Sequence, residues 1–164
     1  MKNKRLWIMR HGEAENFAID DHERRLSSYA KDQFQQVFEQ LGTIDKDIEL
    51  IVCSDARRTM DTAKQWKNLL NYKNEILSSS NLYLASEFEI LNFIQNDKKV
   101  QNAENILLIG HSPGISNFAI KLMKSKNHAF QGFPTGALVV MDLPILNWQE
   151  IDFELGSFIK FVYP

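Results

Sequence analysis

The chain has 164 residues and a mass of 19.0 kDa, the size of one domain that buries roughly 70% of its unfolded-chain surface without staples. Hydrophobic residues make up 44% and charged residues 24%, with 7 Gly and 4 Pro, which excludes disordered and collagen-like chains. A net charge of −2 and a pI near 6.1 lack the basic excess of a bulk nucleic-acid or acidic-membrane binder, so neither partner is expected.

Met1–Arg5 is basic, and the apolar run Leu6–Met9 behind it is too short for a signal peptide. No stretch approaches the 18 or so apolar residues of a membrane span. The lone cysteine, Cys53, offers no internal disulfide and no thiolate-rich metal site. These features predict a soluble, cytoplasmic protein whose residues 1–164 form a single domain.

Leu6–Met9 reads as a buried strand that stops at Arg10-His11-Gly12. Gln33–Leu41 follows with Phe34, Val37, Phe38 and Leu41 at i, i+3, i+4 and i+7, a helix closed by Gly42. Glu49–Cys53 is a second strand, and Ala56–Leu70 a second helix with Thr59, Met60, Ala63, Trp66 and Leu70 on one face. Glu75–Leu84 holds a third strand interrupted by serines, and Ser86 caps a helix through Phe88, Leu91 and Ile94. Asn105–Gly110 is the clearest buried strand, running into His111-Ser112-Pro113-Gly114 and a helix through Ile115, Phe118, Ala119 and Leu122. Ala137–Met141 and Trp148–Leu155 complete the pattern as an antiparallel edge pair with Pro144 and Asn147 in the turn. Continuous apolar strands separated by helices predict an α/β class, a three-layer α/β/α sandwich with a mainly parallel central sheet.

Open α/β sheets bind ligands beyond the carboxyl ends of their strands. The first strand delivers Arg10 and His11 there, the second Ser54 and then Arg57 and Arg58, and the fourth apolar run His111. His22 and His128 sit at no such switch and read as ordinary histidines. Taken singly, each site residue also has a structural reading, as a sheet cap or a solvated helix face. Together they suit a phosphoryl group, because guanidinium forks pair phosphate oxygens bidentately and helix N-termini add N–H donors. The arginines would repel a metal cation, there is no HExxH, and no Walker loop is present, so no metal, nucleotide or other cofactor is expected. Among those cations an imidazole favours its neutral, nucleophilic form, capable of splitting a displacement through a covalent intermediate.

Arg10-His11-Gly12 resembles the RHG signature of the histidine phosphatase, or phosphoglycerate-mutase-like, superfamily. Ser54, Arg58 and Thr62 resemble its S-x-x-x-R-x-x-x-T element, and His111 in GHSPGIS is similar to its second histidine. The short length is similar to SixA-type phosphohistidine phosphatases, as are Leu82-Tyr83-x-Ala85, Pro134-Thr135-Gly136-Ala137 and Trp148. The resemblance implies a phosphoglycerate-mutase-like fold, His11 as the nucleophile, and Arg10, Arg58 and His111 as the phosphate pocket. Ser54-Asp55 stands where the family often has Ser-Pro, Arg25 where it has proline and Ala30 where it has glycine. A general acid has no clear position; Glu13 and Glu87 are the candidates. Because phosphoimidazole leaves without a dedicated protein acid, this gap favours a phosphohistidine-bearing protein as substrate. The alternatives are a small-molecule phosphomonoesterase and a non-catalytic phosphate-binding or phosphoprotein-docking module.

Overall fold

In the computed structural model, which describes residues 3–125 and 132–164, the chain forms six strands and five α-helices. His128 lies outside the described residues. The elements are β1 (Lys4–Arg10), α1 (Ala30–Gln40), β2 (Leu50–Ser54), α2 (Arg57–Leu69), β3 (Leu77–Ser79), α3 (Glu87–Asn96), α4 (Lys98–Gln101), β4 (Asn105–Gly110), α5 (Gly114–Leu122), β5 (Leu138–Leu143) and β6 (Ser157–Val162). One sheet runs β3-β2-β4-β1-β5-β6. Its first four strands are mutually parallel, and β5 and β6 are antiparallel to their neighbours.

The strands are continuously apolar because both faces of the sheet are covered. Successive side chains point to opposite faces. Leu6 and Ile8 of β1 therefore join Ile106, Leu108, Val139 and Met141 against Ile94 of α3 and Ile115 and Phe118 of α5. Trp7 and Met9 join Ile51, Leu107, Ile109 and Val140 against Phe34 of α1 and Trp66 of α2 on the other side. The α/β, three-layer architecture with a mainly parallel sheet follows directly. Each face buries several large side chains, each worth about 1.5–3 kcal/mol on removal from water. No helix among the described residues is long and apolar enough to cross a membrane.

Helix ends follow local chemistry. Ser86 Oγ accepts from Glu89 N–H and Glu89 Oε2 accepts from Ser86 N–H, a reciprocal cap that starts α3. Gly42, at φ 59°, closes α1, which begins a turn earlier than its Gln33 start in the sequence pattern. Phe88 does not face the core: it is largely exposed beneath Lys121 Nζ, and Ile90, Leu91, Phe93 and Ile94 form the buried face instead.

The expected strand at Trp148–Leu155 is absent. Asn147 and Glu150 close a capping box over a 3-10 turn at Trp148–Glu150, and Glu154 stands at φ 63°, incompatible with an extended run. Trp148 and Ile151 are buried three residues apart, and the Trp148 indole donates to Ala103 O at 2.7 Å. This segment is apolar because it packs as a loop. The last strand is β6, an edge strand whose Ser157 and Ile159 remain exposed and whose pairing with β5 is broken by a bulge at Val140/Met141. Of the expected third strand, three residues pair before a 3-10 turn at Ser80–Leu82.

Candidate active site

Arg10 and Gly110 are register partners on the adjacent parallel strands β1 and β4. His11 and His111 therefore leave the sheet side by side, with ring centroids 5.4 Å apart. Ser54 ends β2 on the other flank of β4, and Arg58 follows on the first turn of α2. Arg10, His11, Arg58 and His111 line one open cavity of about 450 Å³, together with Glu13, Asp21, Arg24, Leu84 and Thr135.

The motif residues also hold one another. Thr62 Oγ1 donates to Arg58 O at 2.7 Å and accepts from Gly12 N–H at 3.1 Å, tying the loop after β1 to α2. A Cβ at Gly12 would drive into the Phe34 ring, so this close approach requires glycine. Gly136 N–H donates to His11 O at 2.9 Å, which brings the Pro134–Ala137 turn to the pocket wall.

His11 Nδ1 lies 2.7 Å from Gly12 O. A carbonyl only accepts, so Nδ1 carries the proton and Nε2 keeps its lone pair. Arg58 Nε donates toward that Nε2 at 3.3 Å. Burial, and then the charges of Arg58, Arg10 and Arg24, push His11 down to about 4, so its ring is neutral near pH 7. His111 is pushed down to about 3, by burial first and then by Arg58 and His11. Burial also lowers Arg10, whose Nη1 donates to Phe133 O at 3.0 Å. Arg10 Nε and His111 Nδ1 are buried without a hydrogen-bond partner among the described residues. Both are suited to an anion's oxygens once the ring nitrogen carries a proton. The N-termini of α2 and α5 have no side-chain cap, so their positive ends face the same edge unshielded.

Asp21 is a site residue that the sequence pattern does not mark. Its carbonyl accepts from Arg58 Nη1 at 2.8 Å and its carboxylate from Arg58 Nη2 at 3.1 Å, Arg24 Nη1 at 3.2 Å and Tyr83 Oη–H at 2.6 Å. The Tyr83 hydrogen bond first, and then Arg58 and Arg24, hold Asp21 below the usual carboxylate range. Asp21 lies 37 residues from Arg58 and 62 from Tyr83, a separation that leaves no local signal. His22, beside it, forms an ion pair with Asp55 at 3.0 Å. Leu84 takes φ 50° while lining the cavity, a left-handed conformation uncommon for a leucine.

Of the two acid candidates, Glu13 lines the cavity, its backbone N–H and carboxylate both paired with Gln33. Glu87 lies outside it: its carboxylate accepts from Lys121 Nζ at 2.6 Å, and that bond holds it below the usual range. Arg57 also stays outside, 3.7 Å from Asp61 on the outer face of α2. Among the described residues no group of three or more His, Cys, Asp or Glu side chains is placed to hold a metal ion.

The fold is an α/β protein whose mainly parallel sheet carries two histidines and two arginines at the carboxyl ends of its strands, a donor set whose chemistry suits an anion. Residues 6–79 match the model of the histidine phosphatase superfamily (branch 1). An acid phosphatase of Mycobacterium tuberculosis is 34% identical over 68 residues, which are 39% of this chain; the chain thus spans about a third, 34%, of that relative's length. Among solved structures, a candidate phosphohistidine phosphatase SixA of Nakamurella multipartitia superposes with a TM-score of 0.83 at 20% identity, over 100% of this chain and 98% of its own. The protein histidine phosphatase SixA complexed with tungstate superposes at 0.78 and 20% identity, over 97% and 96%. A mycobacterial glucosyl-3-phosphoglycerate phosphatase superposes at 0.60 and 16% identity, over 98% of each chain. At these identities the shared property is the phosphoglycerate-mutase-like fold.

Proposed function

We propose that the protein is a phosphatase that hydrolyses phosphohistidine on a partner protein, with residues 1–164 acting as one histidine phosphatase domain in the cytoplasm. The carrying observation is the His11 ring: Nδ1–H is committed to Gly12 O, so Nε2 is unprotonated and its lone pair accepts from Arg58 Nε in the shared cavity. Nε2 attacks phosphorus as the P–N bond of the substrate breaks, and the substrate imidazole leaves neutral by retaining a proton. Arg10, Arg58 and His111 stabilise the charge on the transferring oxygens. Water then attacks the phosphorus on His11, giving inorganic phosphate, with its proton passing to the phosphate or solvent. No metal or cofactor enters these steps.

The carboxylates support the choice of substrate. Asp21 and Glu87 are both held below the usual range, and so are ionised rather than proton donors near pH 7. An alkoxide leaving group needs a proton in the transition state, whereas a protonated phosphoimidazole does not. Glu13 in the cavity favours the second reading, a small-molecule phosphomonoesterase.

The test compares kcat/KM for a phosphohistidine peptide, an aryl phosphate and an alkyl phosphate, with trapping of the phosphoenzyme. We expect acid-labile, alkali-stable phosphate on the wild type and none on His11→Ala. The first two substrates should far exceed the third, and Glu13→Gln and Glu87→Gln should leave phosphohistidine hydrolysis nearly unchanged. Label retained by His11→Ala removes the nucleophile assignment. Efficient alkyl ester hydrolysis lost selectively in Glu13→Gln establishes the phosphomonoesterase instead, and absence of turnover with phosphate binding intact leaves a docking module.

A further inference from the structure

The two ring nitrogens of His111 have different surroundings. Nε2 lies 2.6 Å from Ser54 Oγ, and Ser54 Oγ lies 2.6 Å from Thr59 Oγ1. Thr59 Oγ1 in turn reaches Ser54 O at 3.0 Å and Ala56 O at 2.8 Å. Ser54 and Thr59 are fully buried. Nδ1 is left without a partner among the described residues.

Each hydroxyl has one proton to give, so the chain of contacts can be directed in two ways. In one direction Thr59 donates to Ser54 and Ser54 donates to Nε2, which requires a neutral ring with its proton on Nδ1. Ala56 O needs no proton from Thr59 in that case, because it already accepts from Met60 N–H. In the other direction Nε2–H donates to Ser54, Ser54 to Thr59 and Thr59 to Ala56 O. That direction suits the charged ring, which again bears a proton on Nδ1. A neutral ring protonated at Nε2 satisfies the hydroxyls as well, but it would offer a bare Nδ1 lone pair to an anion entering the cavity that His111 lines, a repulsive contact.

We propose that Ser54, backed by Thr59, is a positioning residue that reverses its hydrogen bond so that His111 donates from Nδ1 to the phosphoryl oxygens in both charge states of the ring. The inference rests on the phosphatase reading above. It explains why a serine ends β2 and a threonine follows on the first turn of α2, at a place where apolar side chains would fill the same buried space. A histidine that supports the oxygens both before and after taking up a proton suits a two-step transfer, in which the charge near it rises and falls.

The experiment uses full-length protein labelled with ¹⁵N-histidine, as wild type, Ser54→Ala, Ser54→Thr and Thr59→Val, each with orthovanadate bound. Ring ¹⁵N spectra across pH report which nitrogen carries a proton, and kcat and KM are measured separately in parallel with aryl phosphate. In the wild-type complex Nδ1 should be protonated throughout, with Nε2 alone titrating. Ser54→Ala should lose this fixed Nδ1 proton and about 10–100-fold in kcat, less than the full loss of a transition-state donor, with KM little changed. Ser54→Thr, which keeps the hydroxyl, should restore both. Thr59→Val should keep Nδ1–H in the neutral ring and lower the pH at which Nε2 takes up its proton. The proposal is overturned if Nδ1 is bare in the wild-type complex, or if Ser54→Ala changes neither the tautomer nor the rate. Protonated Nδ1 in a protein that turns over no phosphate compound overturns the phosphatase reading and upholds the ring assignment.

Discussion

Replacing Arg58 by alanine tests the pocket at its most connected cation. Its side chain is 4% exposed and donates to His11 Nε2, Asp21 O and Asp21 Oδ2. Arg57, one residue earlier, is 41% exposed and pairs with Asp61 in an i,i+4 surface pair. Losing a positioned charge at the transferring oxygens costs about 10²–10³ in rate, or roughly 3–4 kcal/mol. A surface substitution of the Arg57 kind changes free energies by about 0.5 kcal/mol or less, which is roughly twofold. A second readout follows from His11, the proposed nucleophile. Burial holds His11 near 4, and Arg58 is the largest of the charges assisting it. Arg58→Ala removes that charge and opens the cavity to water, so His11 rises toward its ordinary value of about 6.5. The assay is kcat/KM for an aryl phosphate against pH, with both variants. The wild type and Arg57→Ala should keep an acid limb near pH 4, while in Arg58→Ala the limb moves upward and the plateau falls at least about a hundredfold. Equal losses from the two variants, or an acid limb that stays in place in Arg58→Ala, refute the reasoning.

The same histidines make stability depend on pH. His11 titrates near 4 and His111 near 3 in the folded chain, so between those values and about 6.5 the unfolded chain binds more protons. Stability is therefore complete above about pH 6.5 and falls as pH drops, with His11 alone removing about 3 kcal/mol by pH 4. Urea unfolding at pH 7 and pH 5 should show a smaller difference for His11→Asn, and an unchanged difference contradicts the assignment. Gly114 packs its Cα against the Ala85 carbonyl, where an added Cβ would overlap that oxygen. Gly114→Ala should thus destabilise by about 1–3 kcal/mol despite alanine's helix preference, measured as a lower urea midpoint; a wild-type midpoint refutes it.

The sequence alone determined the parts whose signal is local. A strand buried on both faces must be apolar throughout, so β1, β2, β4 and β5 are visible as runs, and a helix shows its 3.6-residue stripe. The turns after those strands place Arg10, His11, Ser54, Arg58 and His111 at the switches where a parallel sheet opens. Local signal also misleads where burial is not periodic. Trp148 and Ile151 look like strand residues because they are apolar, yet they serve a packed loop, and β6 is obscured because an edge strand keeps one side in water. Only the tertiary structure decided the electrostatics of the pocket. Asp21 reaches Arg58, and Tyr83 reaches Asp21, across long loop closures, Glu13 enters the cavity while Glu87 pairs with Lys121, and Ser54 meets His111 only because β2 lies beside β4. Contacts between residues tens of positions apart depend on how strands are ordered in the sheet, and that order comes from packing both faces of the whole sheet at once.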